Sequence, residues 1–272
     1  MRKERNGMLI SREVFLKKYT ELYLAKTPYI AALAYWKMKH LVESGETYYL
    51  PEHDCYYMIR DKHLLIYYSP DNLMHLGMDE LNRLDAISLP AYVFDTLESR
   101  LVGFRESRGW NLRYNFDYQP PGHGSSLYRT VDFDFTKQEH YEKAAELINQ
   151  GDGWLNAGNI KRMTKYSAFD RSLWFFLQDN ASRELVAISI SQYNEEVRQT
   201  DLDWIYVSPD YHGKGVGRFL IEQTIERCKD KSNDICVGGT VGFYRKCGFD
   251  DHELWVWAAK DGYQFSAPMI QP

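Results

Sequence analysis

Long apolar segments are missing from this sequence. No run of 18 apolar residues occurs among its 272 residues, so the sequence predicts no transmembrane span. The charged first residues, 1–6, are not followed by the apolar segment of a secretory signal peptide. The sequence therefore predicts a cytoplasmic protein with no membrane partner.

Cysteine is scarce, and its few positions follow no metal-binding pattern. Cys55, Cys228, Cys236 and Cys247 form no CxxC pair, and none has a histidine at metal-ligand spacing. We expect free thiols in a reducing compartment and no metal site.

An excess of basic residues is also missing. The chain has 33 Lys and Arg against 38 Asp and Glu, for a net charge of -5. This balance does not provide the electrostatic footprint of a nucleic-acid binder. The mild acidic excess is compatible with a cationic partner.

One segment has the composition of a linker between two domains. Residues 119–126 hold two prolines, two glycines and two serines, which sustain neither a helix nor a central strand. The sequence thus predicts domains at 1–118 and 127–272. The first has helical spacing at 11–26 and 28–44, followed by short β-rich runs that include 91–94, and is predicted to be α+β.

The second half alternates strand and helix patterns. A strand is predicted at 127–135, a helix at 138–149, strands up to 207 and a helix at 215–228, followed by strand, helix and strand. This order is typical of an α/β fold whose sheet mixes antiparallel and parallel strands.

The informative stretch is a glycine turn between a strand and a helix. Residues 202–207 read as a strand, and the sequence His-Gly-Lys-Gly-Val-Gly-Arg at 212–218 leads into the helix. Glycines let the backbone approach a ligand, and a helix N-terminus favours a phosphate. The pattern is neither a Rossmann fingerprint nor a Walker A loop, and a tight turn with surface Lys and Arg is the alternative interpretation.

The stretch resembles the GNAT superfamily of N-acetyltransferases, whose pyrophosphate loop reads Q/R-x-x-G-x-G/A after a strand and a turn containing proline. A second match is Phe-Tyr-Arg-Lys-Cys-Gly-Phe at 243–249, which is similar to the family's F-Y-x-x-x-G-F segment. The resemblance covers residues 127 to 260 and implies a GNAT-like fold that uses acetyl-CoA as cosubstrate.

The resemblance also implies which residues contact the cosubstrate. The first loop position is His212 where the family has Gln or Arg, which leaves one side-chain contact open. The strand residues act through backbone groups that pair with the pantetheine arm. The cofactor-binding residues implied are Ile205, Tyr206, Val207, His212, Gly213, Lys214, Gly215, Val216, Gly217 and Arg218.

Tyr244 occupies the position of the family's general acid. A phenol there protonates the departing CoA thiolate. The alternative is an aromatic ring that only packs the last helix onto the sheet. Cys247 lies three residues later, but no histidine follows at a suitable distance, so direct attack in a ternary complex is expected rather than thiol catalysis.

Asp201 and Asp203 lie at the start of the strand before the loop. A regular strand places them on one face, opposite Trp204 and Tyr206. A carboxylate there takes the proton of an attacking amine and attracts an ammonium group. The alternatives are two solvated carboxylates, or a bulge that changes which one faces the pocket.

These observations predict transfer of an acetyl group from acetyl-CoA to a primary amine, most naturally a small cationic molecule. A non-catalytic acyl-CoA-binding regulator, and an enzyme acting on a protein lysine or N-terminus, are the alternatives. The first domain has no glycine loop, so no second CoA is assigned to it. Two interpretations of the first domain stay open. In one, it is a degenerate copy of the same fold, which shapes the acceptor site or a homodimer. In the other, it is an unrelated module for substrate capture.

Overall fold

A computed structural model describes residues 7–25, 32–97, 100–118, 127–151, 154–239 and 241–263. Contacts divide these residues into two compact units, with residues up to 112 and from 251 to 263 in the first and residues 113–250 in the second. The predicted linker at 119–126 lies outside the described residues.

The first unit is an α+β structure built on an extended sheet. Its strands follow the order β1-β2-β3-β4-β5-β12-β6. Its helices are α1 (Arg12–Leu24), α2 (Tyr35–Val42), α3 (Met78–Arg83) and α4 (Ala91–Phe94). Its strands are β1 (Met8–Leu9), β2 (Glu46–Leu50), β3 (Cys55–Arg60), β4 (His63–Tyr68), β5 (Ala86–Pro90), most of β6 (Phe104–Tyr114) and most of β12 (Phe249–Lys260).

The division differs from the sequence-based boundaries because β12 returns to the first unit. Residues 251–263 were expected to belong to the domain that begins at residue 127. Instead, β12 pairs antiparallel with β5, from Trp255↔Pro90 to Ala259↔Ala86. This long-range pairing leaves no signal in the local sequence of β12.

The run at 91–94 is a single helical turn and not the predicted strand. Its aromatic and β-branched residues suggested extended structure. The strand lies just before it, at β5, where all five residues are buried. Pro90 ends that strand and forms the N-cap of α4.

The second unit has the predicted mixed sheet, in the order β11-β10-β9-β8-β7. Its strands from β7 to β10 are antiparallel, whereas β10 and β11 are parallel. The predicted α/β class is confirmed. The elements are β7 (Tyr128–Asp132), α5 (Gln138–Asn149), α6 (Ala157–Met163), β8 (Phe169–Asp179), β9 (Leu185–Asn194), β10 (Gln199–Val207), α7 (Val216–Cys228), β11 (Asp234–Gly238) and α8 (Val241–Arg245).

Helices cover both faces of this second sheet because β8 is apolar on both sides. Phe175 and Leu177 pack with Val216 and Leu220 of α7. The alternate residues Trp174 and Phe176 join an aromatic cluster with Phe133, which contacts Tyr141 of α5. Successive strand residues point to opposite faces, so α7 and α5 lie on opposite sides of the sheet.

Among the described residues, no helix is long and apolar enough to cross a membrane.

Candidate active site

The site begins where β10 separates from β11. β10 pairs with β9 along its length, from Gln199 to Val207. Its parallel pairing with β11 covers only Gln199 to Asp201 among the described residues. The edge of β10 from 202 to 207 is therefore open to an extended ligand, which could pair with its backbone as an added strand does.

A cavity of about 810 Å³ occupies this opening. Residues 202–207 of β10 form one wall, and the turn and glycine loop after β10 form one end. Gly238 and Gly239 at the end of β11 and Phe243 and Tyr244 of α8 form the opposite wall. The volume is in the range of small-molecule sites.

The glycine loop presents backbone to this cavity. Gly213 and Gly215 have φ angles of 73° and 82°, a left-handed conformation that favours glycine. No atom lies within 4 Å of the position that a Cβ would take at either residue. Gly215 is the N-cap of α7 and supplies no side-chain cap, so the first N–H groups of the helix remain available to an anion.

Gly217 is favoured for a different reason, which is close packing. It lies in the first turn of α7, and a Cβ there would be 3.2 Å from the Phe243 ring and 3.6 Å from Cγ2 of Val207. The missing side chain lets α7 approach both walls of the cavity.

The other loop residues divide between the cavity and its surroundings. His212 lines the cavity, and its Nε2 lies 3.0 Å from the carbonyl of Val207, to which it donates. The Lys214 ammonium lies 4.9 Å from the Tyr211 ring centroid. Neither Lys214 nor the buried Val216 is among the lining residues.

Arg218 lines the cavity and is held by two neighbours. Its Nε donates to Glu222 at 3.1 Å, and its Nη2 donates to the hydroxyl of Tyr118 at 3.0 Å. The Tyr118 ring occupies the space beside Gly248, where a Cβ would approach it to 2.3 Å. Tyr118 thus fixes the direction of a guanidinium at the end of the cavity that carries the glycine loop.

Residues 205–207 line the cavity while their side chains lie on two faces of the sheet. Ile205 and Val207 pack into the core beneath α7. Tyr206 points the other way, toward Gly151 at the end of α5. The backbone edge that they share faces the cavity.

A bulge in β10 separates the two carboxylates that the sequence placed on one face. Asp201 pairs with Gln192 and Trp204 with Ile190, so two residues of β10 lie opposite one of β9. Gln192 and Ile190 share a face, and their partners Asp201 and Trp204 must share it too. Asp203, which immediately precedes Trp204, is on the other side.

The expectation of a shared face is therefore not met, because β10 has one more residue than a regular strand would. Asp203 is partly exposed and lines the cavity. Asp201 is 5% exposed, is not among the lining residues, and has the thiol of Cys236 3.9 Å from its Oδ1.

Tyr244 is 8% exposed and still reaches the cavity wall. Its ring makes edge contacts with Phe243 and Phe249. Burial raises the pKa of its phenol well above the usual 10, and the nearby Cys247, Asp201 and Tyr206 raise it further. Tyr244 is consequently protonated throughout the neutral range, with Asp201 close enough to influence it.

Cys247, three residues after Tyr244 in the turn that follows α8, offers no nucleophile at neutral pH. All four cysteines are free and buried. Burial raises the pKa of Cys247 to about 11, with Glu222 also raising it and Arg218 opposing them. A thiol with such a pKa is hardly ionised at pH 7. Among the described residues, no group of three or more His, Cys, Asp or Glu could hold a metal ion.

Several lining residues were not identified from the sequence. They comprise Gln150 and Gly151 from the end of α5, Leu202 and Trp204 from β10, Pro209 and Tyr211 from the turn, and Gly238, Gly239 and Phe243 from the opposite wall. The glycine pair before α8 and the aromatic pair in β10 were visible in the sequence. The sequence did not show that β10 separates from β11, and this separation exposes both pairs to the cavity.

The first unit repeats this local arrangement without the glycines. Residues 66–71 read Ile-Tyr-Tyr-Ser-Pro-Asp and match 205–210, Ile-Tyr-Val-Ser-Pro-Asp, at five of six positions. β4 pairs parallel with β5 over two residue pairs, as β10 does briefly with β11. In the segment that follows, Met74 and Leu76 are buried in the core of the first unit.

Comparison with known proteins assigns a family to the region that contains the site. Residues 170–251 match the model of the acetyltransferase (GNAT) domain. An uncharacterized N-acetyltransferase of Methanocaldococcus jannaschii is 33% identical over 69 residues, which cover 22% of this chain and 30% of that protein. The match thus spans less than a third of this curated relative.

Solved structures share the fold at low sequence identity. A GNAT-family acetyltransferase of Colwellia psychrerythraea has a TM-score of 0.63 at 11% identity, over 94% of this chain and all of that one. A GCN5-related N-acetyltransferase of Sphaerobacter thermophilus has a TM-score of 0.58 at 15% identity, over 80% of each chain. A tandem GNAT protein from the clavulanic acid pathway has a TM-score of 0.57 at 11% identity, over 96% and 99%.

Proposed function

We propose that this chain, in which residues 170–251 match the acetyltransferase (GNAT) domain, transfers an acetyl group from acetyl-CoA to a primary amine. The observation that carries the proposal is the cavity between β10 and β11, with a glycine loop and a helix N-terminus at one end. The amine attacks directly while both substrates are bound.

The residues present fit acetyl-CoA. The backbone N–H groups at Gly213 and Gly215 and the start of α7 suit the pyrophosphate, and the open space above both glycines allows its close approach. Arg218, held by Tyr118, adds positive charge at the same end. The free edge of β10 suits the amide groups of the pantetheine arm, and one of its N–H groups polarises the thioester carbonyl.

The reaction needs one proton acceptor and one proton donor. The ammonium of the acceptor loses a proton, the free amine attacks the thioester carbonyl, and the C–S bond breaks to release the CoA thiolate. The nitrogen loses its second proton as the amide forms, and this proton restores the Tyr244 phenol after Tyr244 has protonated the thiolate. Tyr244 donates a proton to the thiolate, which suits a phenol that remains protonated at neutral pH. Asp203 on the cavity wall attracts the ammonium, and either Asp203 or Asp201 takes its proton.

The first unit supports this reaction as a degenerate copy of the same fold. The repeated sequence at 66–71 and the brief parallel pairing of β4 with β5 support that assignment. Because Met74 and Leu76 fill the segment after β4, we assign one acetyl-CoA to each chain. A cytoplasmic location and a homodimer remain predictions from the sequence.

The experiment measures thiol release from acetyl-CoA with a panel of amines. Tyr244→Phe removes only the hydroxyl and should lower kcat by about 100- to 10,000-fold while leaving the Kd for acetyl-CoA nearly unchanged. Tyr128→Phe is the matched control, since Tyr128 is also 8% exposed but lies outside the cavity lining. An unchanged kcat in Tyr244→Phe would assign Tyr244 to packing alone. Binding of acetyl-CoA without release of thiol for any amine would overturn the proposed activity.

A further inference from the structure

Two aromatic rings of β10 form one wall of the cavity. Trp204 and Tyr206 are two residues apart after the bulge, and their ring planes lie 21° from parallel with centroids 6.4 Å apart. Both line the cavity. Their partners on β9 are Ile190 and Ile188, which share a face, so both rings are on the side of the sheet that α5 covers.

Tyr206 is fixed in this position by Gly151. A Cβ at Gly151 would lie 2.3 Å from Cε1 of Tyr206, so the ring fits against the end of α5 only because residue 151 has no side chain. The neighbouring Gln150 also lines the cavity. The aromatic wall is therefore part of the packing between β10 and α5.

Polar groups are few in this part of the cavity. Away from the turn, the glycine loop and Arg218, the described lining residues with polar side-chain groups are Gln150, Asp203, Trp204, Tyr206 and Tyr244. Asp203 is the one acidic side chain among all the described lining residues. A polyamine needs a carboxylate for each buried ammonium, and an aminosugar needs a hydrogen-bond partner for each buried hydroxyl.

We propose that the acceptor is a monoamine carried on a flat, apolar body that stacks on Trp204 and Tyr206 and extends its amine past the open edge of β10 toward Asp203, which lines the cavity from the other face of the strand. This inference rests on the proposed acetyl transfer. Aromatic rings favour offset stacking with a planar partner, and the single carboxylate matches a single ammonium. The wall therefore selects an aryl-substituted amine over a polyamine, an aminosugar or a lysine side chain in a peptide.

The test compares kcat/KM for 2-phenylethylamine, butylamine, spermidine, glucosamine and a lysine peptide in the thiol-release assay. We expect 2-phenylethylamine to be the best acceptor. Trp204→Leu should lower the ratio of kcat/KM for 2-phenylethylamine to that for butylamine by about 3- to 10-fold. The Kd for acetyl-CoA, measured on the same variant, reports whether it has folded. Trp110→Leu, at a partly buried strand position in the first unit, is the control and should leave the ratio unchanged.

The outcomes separate this inference from the proposed function. If spermidine, glucosamine or the peptide is the best acceptor, or if a Trp204→Leu protein that binds acetyl-CoA keeps the wild-type ratio, the inference is wrong while acetyl transfer stands. If no amine supports thiol release, the proposed function fails and the inference fails with it.

Discussion

Replacing Gly215 by alanine should separate the role of the loop backbone in binding from its role in folding. Gly215 has a φ of 82°, and a left-handed conformation costs an alanine about 1–2 kcal/mol. The methyl group would project into open space at the cavity wall, where we expect the pyrophosphate. Loss of one hydrogen bond to a charged group costs about 1.5–3 kcal/mol, which corresponds to about 10- to 140-fold in Kd.

Gly103 provides the matched control for this substitution. Its φ is 80°, and nothing lies within 4 Å of the position of its Cβ, but it belongs to the first unit and does not line the cavity. Both alanine variants should lose a similar free energy of unfolding in urea. Isothermal titration with acetyl-CoA should show weaker binding only for Gly215→Ala. Equal affinities in the two variants would refute the assignment of the loop.

Three further expectations concern other parts of the chain. Tyr118→Phe removes the hydroxyl that accepts a hydrogen bond from Arg218 and should raise the Kd for acetyl-CoA about 2- to 10-fold. The control Tyr128→Phe should leave this Kd unchanged. An unchanged Kd in Tyr118→Phe would mean that Arg218 needs no such support. Titration of the whole chain should give one acetyl-CoA site, because Met74 and Leu76 fill the segment after β4, and two sites would contradict this. Burial lowers the pKa of His63 to about 4, below its unfolded value near 6.5. The free energy of unfolding that depends on a neutral His63 is fully present above pH 6.5 and is lost as the pH falls through 4, by up to about 3 kcal/mol. The free energy of unfolding of His63→Gln, measured in urea, should therefore depend less on pH than that of the wild type.

The sequence predicted the parts of the site that depend on local conformation. The glycines at 213 and 215 are needed because the chain turns there in a left-handed conformation, and this requirement is visible in the residue types themselves. The helix predicted at 138–149 is confirmed as α5, because its apolar residues have helical spacing on a face that packs inward.

The parts that depend on pairing between distant strands could not be predicted. The bulge that separates Asp201 from Asp203 exists because β10 has an extra residue relative to β9, and only the register shows this. Tyr206 as a wall of the cavity depends on its contact with Gly151, 55 residues earlier in the chain. The pairing of β12 with β5 joins segments about 170 residues apart and likewise has no local signal.

The pairing of β12 with β5 also determines when the sheet of the first unit can be completed during synthesis. When the ribosome has completed β5, the edge that β12 will occupy has no partner, and it remains open until more than 160 further residues have been made. By then, the segments of the second unit up to β11 have already been translated. The sheet of the first unit is consequently completed last although its first strands are made first, and an unpaired edge during that interval invites association between nascent chains.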